Sequence, residues 1–160
     1  MDLVILARYR AYFTVHSVKA LTLAEHTIMA LFRKGYVSIP PLDDVSYLCL
    51  NIGSFIGKLV LPLISLLRGM PNLNTLNLNS SPSCFPYRKT DCSGYDMKYW
   101  KSQNLPFISQ LKEVPIELSR FSCGSNPVEF SRFILEHARS LEKMVINFIH
   151  TALQRRLSRS

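Results

Sequence analysis

Apolar residues recur in this chain at alternate positions within short runs, and the runs themselves recur. Ala20-Leu21-Thr22-Leu23, Tyr47-Leu48-Cys49-Leu50, Thr75-Leu76-Asn77-Leu78, Glu113-Val114-Pro115-Ile116 and Lys143-Met144-Val145-Ile146 share one pattern, a variable residue and then an apolar one, twice over. A period of two is that of a β-strand with one buried face. Successive copies begin about 27, 28, 38 and 30 residues apart, and the gaps hold stretches able to form helices.

The first strand is expected over Val18 to Leu23, before a helical segment carrying Ile28, Met29, Leu31 and Phe32 and capped by Gly35. Pro40-Pro41 then breaks the helix and turns the chain back. The second strand, Val45 to Leu50, leads into Ile52 to Met70, where Phe55, Leu59, Leu63 and Leu67 mark one buried helical face. Pro62 predicts a kink there or an effective start near Leu61, and Arg68-Gly69-Met70-Pro71 ends the helix. Asn79 to Asn104 is rich in Ser, Pro, Asp, Lys and Tyr, has no helical periodicity, and reads as a polar loop. The fourth strand, Leu111 to Leu118, contains Pro115, which cannot donate to a ladder. Asn126 then suits an N-cap, with Pro127 at the first helical position and Glu129 three residues after the cap. Phe130, Phe133, Ile134 and Ala138 form the inward face, and a last strand covers Leu141 to Phe148.

Alternating strands and helices favour parallel strands joined by crossovers. A doubly wound sheet shows the same alternation, but no glycine-rich turn joins a strand to a helix here. One repeated strand pattern predicts instead an α/β leucine-rich-repeat solenoid, with short parallel strands alternating with helices. Residues 1–79 form the repeat region, 80–104 the polar loop, 105–150 the C-terminal repeats and 151–160 a basic tail. Leu23, Leu50, Leu78, Ile116 and Ile146 are then expected to share one interior on neighbouring rungs.

Composition changes this picture little. A 160-residue chain with a 48% apolar fraction is enough for one core. The net charge of +8 is compatible with nucleic acid, a membrane surface or an acidic protein. No basic stripe interleaved with aromatics is present, so a solvated surface extended by Arg155, Arg156 and Arg159 accounts for it. Cys49, Cys84, Cys92 and Cys123 form no close pair of the zinc or redox kind, although a bridge between Cys84 and Cys92 is conceivable. The apolar run Leu3 to Ala7 is too short for a signal-peptide core and is followed, not preceded, by Arg8 and Arg10. A cytoplasmic or nuclear location with reduced thiols is therefore expected. The stretch from Ile52 to Met70 approaches a membrane span in length, but Lys58, Pro62 and two glycines interrupt it. His16, His26, His137 and His150 lack ligand spacing, and neither a catalytic set nor a phosphate loop is visible. The expectation is a protein without catalytic activity, cofactor or metal. Arg155-Arg156-Leu157-Ser158 also fits a basic-directed kinase site, a pattern short enough to arise by chance.

Leu66-Leu67-Arg68-Gly69-Met70-Pro71-Asn72-Leu73-Asn74-Thr75-Leu76 resembles the helix-to-strand junction of plant F-box/leucine-rich-repeat proteins. The later part resembles the FBD domain that ends many of them. That likeness rests on Tyr99-Trp100, Leu111-Lys112-Glu113-Val114, the segment from Glu129 to Ala138, and Leu141-Glu142-Lys143-Met144-Val145-Ile146. It covers about Val18 to Ile149. Members of that family dock on a Skp-type adaptor of a cullin ubiquitin ligase through an F-box, and their repeats are thought to hold the substrate. Nothing here resembles an F-box, so the resemblance implies the substrate-recognition half without the adaptor. A truncated paralogue, a fragmentary gene model or a free module competing with intact relatives would each fit. Pro115 and the irregular Phe121-Ser122-Cys123-Gly124 connection depart from the pattern and leave the fourth unit open.

In such strands the leucines point inward and their neighbours outward. Ala20, Thr22, Tyr47, Cys49, Thr75, Asn77, Glu113, Glu117, Lys143 and Asn147 are thus expected on the open face. Tyr47, Asn77, Glu113 and Lys143 are the candidate contacts to a protein partner; the bland alternative is a merely solvated sheet. Trp100, with Tyr95 and Tyr99, is either a fifth contact or a residue packing the loop against the body. Two other readings stand beside this one: a basic nucleic-acid-binding domain, and a remnant without independent function.

Overall fold

A computed structural model describes residues 2–4, 18–33, 41–52, 57–80, 95–119 and 126–149. Gly35, Pro40, Phe55, the cysteines Cys84, Cys92 and Cys123, His16, His150 and the basic tail lie outside them, as do residues 81–94 of the expected loop. The chain is α/β. Its strands are β1 (Asp2–Val4), β2 (Ala20–Ala24), β3 (Tyr47–Ile52), β4 (Thr75–Ser80), β5 (Glu113–Ser119) and β6 (Lys143–Ile149). The helices are α1 (Glu25–Arg33), α2 (Gly57–Arg68), α3 (Met97–Ser102) and α4 (Asn126–His137). The strands form one parallel sheet in sequential order, β1 to β6. Among the described strands the order never reverses, unlike a doubly wound sheet with its switch point. Alternate strand residues, Leu21, Leu23, Leu48, Leu50, Leu76, Leu78, Val114 and Ile116, share one core with buried residues of the helices, and the residues between them face the other side of the sheet.

The pairing is in register along the recurring pattern. Leu23 lies opposite Leu50, Leu50 opposite Leu78, Leu78 opposite Ile116, and Ile116 opposite Ile146. A second repeating device fixes the corner before each strand. The carbonyl of Lys19 accepts from the amides of Ser46 and Tyr47 at 2.9 and 3.0 Å, and that of Ser46 accepts from Asn74 and Thr75 at 2.9 and 3.0 Å. The carbonyl of Asn74 takes Lys112 and Glu113, and that of Lys112 takes Glu142 and Lys143. One oxygen thus serves two donors at every step, which uses both of its lone pairs. The apolar residue just before each of these corner residues explains why the strands begin later than the pattern predicts. Val45, Leu73 and Leu111 are buried in the turn itself, not paired in the sheet.

One core runs through the molecule, from Leu21 on β2 to Ala138 after α4. Leu59, Leu63 and Leu67 of α2 are all fully buried, as their spacing predicts. The helix includes Pro62 and starts five residues before it, so the start near Leu61 is not the one seen. As the sixth helical residue Pro62 lies beyond the first four amides, which lack partners in any helix, so its missing amide hydrogen gives up one intrahelical hydrogen bond. Phe130, Phe133 and Ile134 of α4 are likewise buried. Each such side chain contributes roughly 1.5–3 kcal/mol.

Three expectations are corrected. The polar loop contains a helix, α3, with Asp96 as N-cap: its Oδ1 accepts from the Tyr99 amide at 2.9 Å. The helix is followed by Asn104 at φ 49°, a left-handed conformation that asparagine tolerates. Secondly, Leu3 and Val4 belong to strand β1, an element absent from the sequence expectation. Thirdly, Ile146 occupies its row in register but is 42% exposed, because among the described residues β6 is an edge strand. Pro115 also leaves its mark. The β4–β5 pairing skips Leu76 and Asn77, the level at which proline has no amide hydrogen to give.

Candidate functional site: the open face of the sheet

Alternation along each strand sends one set of side chains to the core and the other to the open face. On that face the register builds two informative rows. Ala20, Tyr47, Thr75, Glu113 and Lys143 follow one another across β2 to β6. Ala24, Asn51, Asn79, Glu117 and Asn147 form the second, nearer the strand ends. Three of the predicted contacts, Tyr47, Glu113 and Lys143, therefore stand in a single line. The fourth joins them by a hydrogen bond: Asn77 Nδ2 donates to the Tyr47 hydroxyl at 3.2 Å. The other amide atom, Asn77 Oδ1, is buried without a hydrogen-bond partner among the described residues. Asn77 lies opposite Cys49 and diagonal to Tyr47, a separation that a tyrosine side chain can span.

The second row carries its own polar bridge. Asn79 Nδ2 donates to Asn51 Oδ1 at 3.2 Å and lies 3.6 Å from Cys49 Sγ. Sequence reasoning passed over Asn51 and Asn79. The signal was present: in β3 and β4 alike, an asparagine stands one place beyond the second leucine of the pattern. Cys49 was expected to be exposed and is not; only 9% of it is accessible. Its register neighbours are Thr22 and Asn77, and Asn79 crosses it diagonally. Burial pushes its thiol upward from the ordinary value, hydrogen bonds with Tyr47 and Thr22 pull it down, and the Glu117 carboxylate adds a smaller upward push. The thiol stays protonated at neutral pH and is a poor nucleophile.

Trp100 is not part of this surface. It is fully buried in the core, with its ring 4.8 Å from that of Phe130 on α4 and 5.7 Å from that of Tyr99. Tyr99 packs against Tyr95 in a tilted arrangement, with ring centroids 4.1 Å apart. Burial raises its phenol above the ordinary value, Tyr95 adds to the rise, and Arg68 opposes it. Arg68 ties α2 to α3, giving hydrogen bonds to the Gln103 side chain at 2.8 Å and carbonyl at 3.3 Å. His137, expected on the helix surface, is half-buried and stacks on Phe133 at 4.7 Å.

Charge on the open face is mixed, with Glu113 and Glu117 against Lys143. The chain's net charge of +8 is therefore not concentrated on this surface. Among the described residues no group of three or more His, Cys, Asp or Glu side chains is placed to hold a metal. No helix among them is long and apolar enough to cross a membrane. No protein-family model matches the chain, and neither a curated protein nor a solved structure is found to be similar to it.

Proposed function

We propose that the chain is a leucine-rich-repeat solenoid that binds a protein partner on its open sheet face. The observation that carries this reading is the alignment of Tyr47, Glu113 and Lys143 in one row, with Asn77 bonded to Tyr47. An aromatic ring flanked by amide and charged groups provides the mixture that protein interfaces use: an anchor with polar specificity around it. The repeated corner hydrogen bonds and the sequential order of the parallel strands support the solenoid. The resemblance to F-box receptors with an FBD domain extends the reading to substrate recognition in ubiquitin ligation, without binding of the Skp-type adaptor.

Capture from the native cell tests this. A combined Tyr47→Ala, Asn77→Ala, Glu113→Lys and Lys143→Glu variant keeps its melting temperature within a few degrees and loses a partner that the parent chain retains. Retention of the same partner by the variant would refute the site. Direct recovery of the adaptor would refute the inferred half-receptor. DNA or RNA binding that falls steeply as salt rises would instead favour the basic-surface reading.

A further inference from the structure

On β5 and β6 the open face carries three charged side chains, Glu113, Glu117 and Lys143. Carboxylates of the last helix and of the corner before β6 are matched by cations. Glu129 pairs with Arg132 at 3.4 Å, Glu136 with Lys101 at 3.4 Å and Glu142 with Lys112 at 3.5 Å. Glu113 and Glu117 have neither an ion pair nor a hydrogen bond among the described residues. Lys143 is the register neighbour of Glu113 and still forms no ion pair with it. Cations are not scarce in this chain, which has 19 Lys and Arg against 11 Asp and Glu. The neighbouring amide donors are spent elsewhere. Asn79, opposite Glu117, directs its Nδ2 to Asn51 Oδ1 and Cys49 Sγ on β3, and Asn77 directs its Nδ2 to the Tyr47 hydroxyl. Both donors thus point away from β5. Between the two glutamates Pro115 contributes a half-buried ring on the same face and no amide hydrogen.

We infer that the partner of the open face presents an extended basic segment along β5, with arginines seated on Glu113 and Glu117. The inference rests on the reading of this face as a partner site and names the chemistry it selects. Glu113 and Glu117 are four residues apart on one side of the strand, about 13 Å at the usual rise per residue. An extended segment repeats its side-chain direction with the same period, so basic residues four apart meet both carboxylates. Their aliphatic stems lie over the Pro115 ring. Arginine suits the site better than lysine, because its planar fork bridges the Glu117 carboxylate and the amide oxygen of Asn79 on the next strand. Glu117 is half-buried, so its pairing is screened less than that of a fully exposed carboxylate. An acidic segment laid on the same strand meets two like charges and gains only Lys143.

Fluorescence anisotropy with labelled octa-arginine and octa-glutamate, at physiological salt, tests it. The full chain binds octa-arginine and not octa-glutamate. A Glu113→Gln and Glu117→Gln double variant removes no described contact, keeps its melting temperature, and binds octa-arginine about ten-fold or more weakly. Glu129→Gln with Glu136→Gln makes the same change of charge on α4, beyond the Debye length of about 8 Å, and alters binding less than about two-fold. Absence of octa-arginine binding overturns the inference, as does preference for octa-glutamate or an equal loss in the two double variants. Capture from the native cell separates this inference from the reading beneath it. A partner lost by the four-fold variant of the open face but kept by Glu113→Gln with Glu117→Gln overturns the basic segment and leaves the face as the partner site.

Discussion

Leu78 on β4 and Ile146 on β6 belong to the same row of the sheet, yet Leu78 is 4% exposed and Ile146 42%. Their local patterns are alike. The difference is that Leu78 has a paired strand on either side, whereas the described structure gives Ile146 one. In this parallel sheet the register follows the local strand pattern, whereas burial depends on the neighbouring strands. The middle of the stack should therefore respond to substitution as a core does, and the last rung as a surface does.

Four perturbations sharpen that contrast. The largest effect is expected from Leu48→Asp or Leu76→Asp, each of which puts a carboxylate into a fully buried site. A loss above about 4 kcal/mol, enough to unfold the domain, is predicted. A cooperative melt near that of the parent would contradict the placement of the core. Next come the two partners of the row. Leu78→Ala should cost about 2–5 kcal/mol. Ile146→Ala should cost about 1 kcal/mol or less. Equal losses in chemical denaturation would erase the distinction between middle and end.

Smaller again is the effect of pH. Cys49 and Tyr99 are both raised above their ordinary values of 9.0 and 10.0, mainly by burial. Above about pH 9 the folded chain therefore holds more protons than the unfolded chain, and stability falls as pH rises through that range. Cys49→Ser with Tyr99→Phe should flatten the alkaline limb of a stability–pH curve; an unchanged limb would show that other groups control it. The smallest effect belongs to Asn77→Ala, which removes one part-buried hydrogen bond and an amide oxygen that has no partner among the described residues. A cost of about 1 kcal/mol or less is expected, and a much larger loss would mean that Asn77 supports the fold.

The sequence pattern was enough to locate the five later strands and the buried faces of α2 and α4, because those depend on spacing within a few residues. Other features depend on distant parts of the chain and were not legible in that way. The exposure of Ile146 follows from its place at the sheet edge, and the burial of Cys49 from neighbours on β2 and β4. Strand β1 is too short to show a period, and α3 was hidden by the polar composition around it, although Asp96 three residues before Tyr99 was a usable capping signal. Of the candidate contacts, Tyr47, Asn77, Glu113 and Lys143 come together because each repeat carries its outward residues at the same offset. Trp100 lies in the core, since a large ring in a short helix against Phe130 is better buried than exposed.

Dipolar distance measurement between spin labels on the open face tests the central claim most directly. Labels at Lys143 paired in turn with positions 113, 75, 47 and 20 should report separations that grow by one strand spacing, about 4.8 Å, at each step. Distances that depart from that order, or labels that fall on opposite sides of the sheet, would contradict the stacking on which the proposed surface rests.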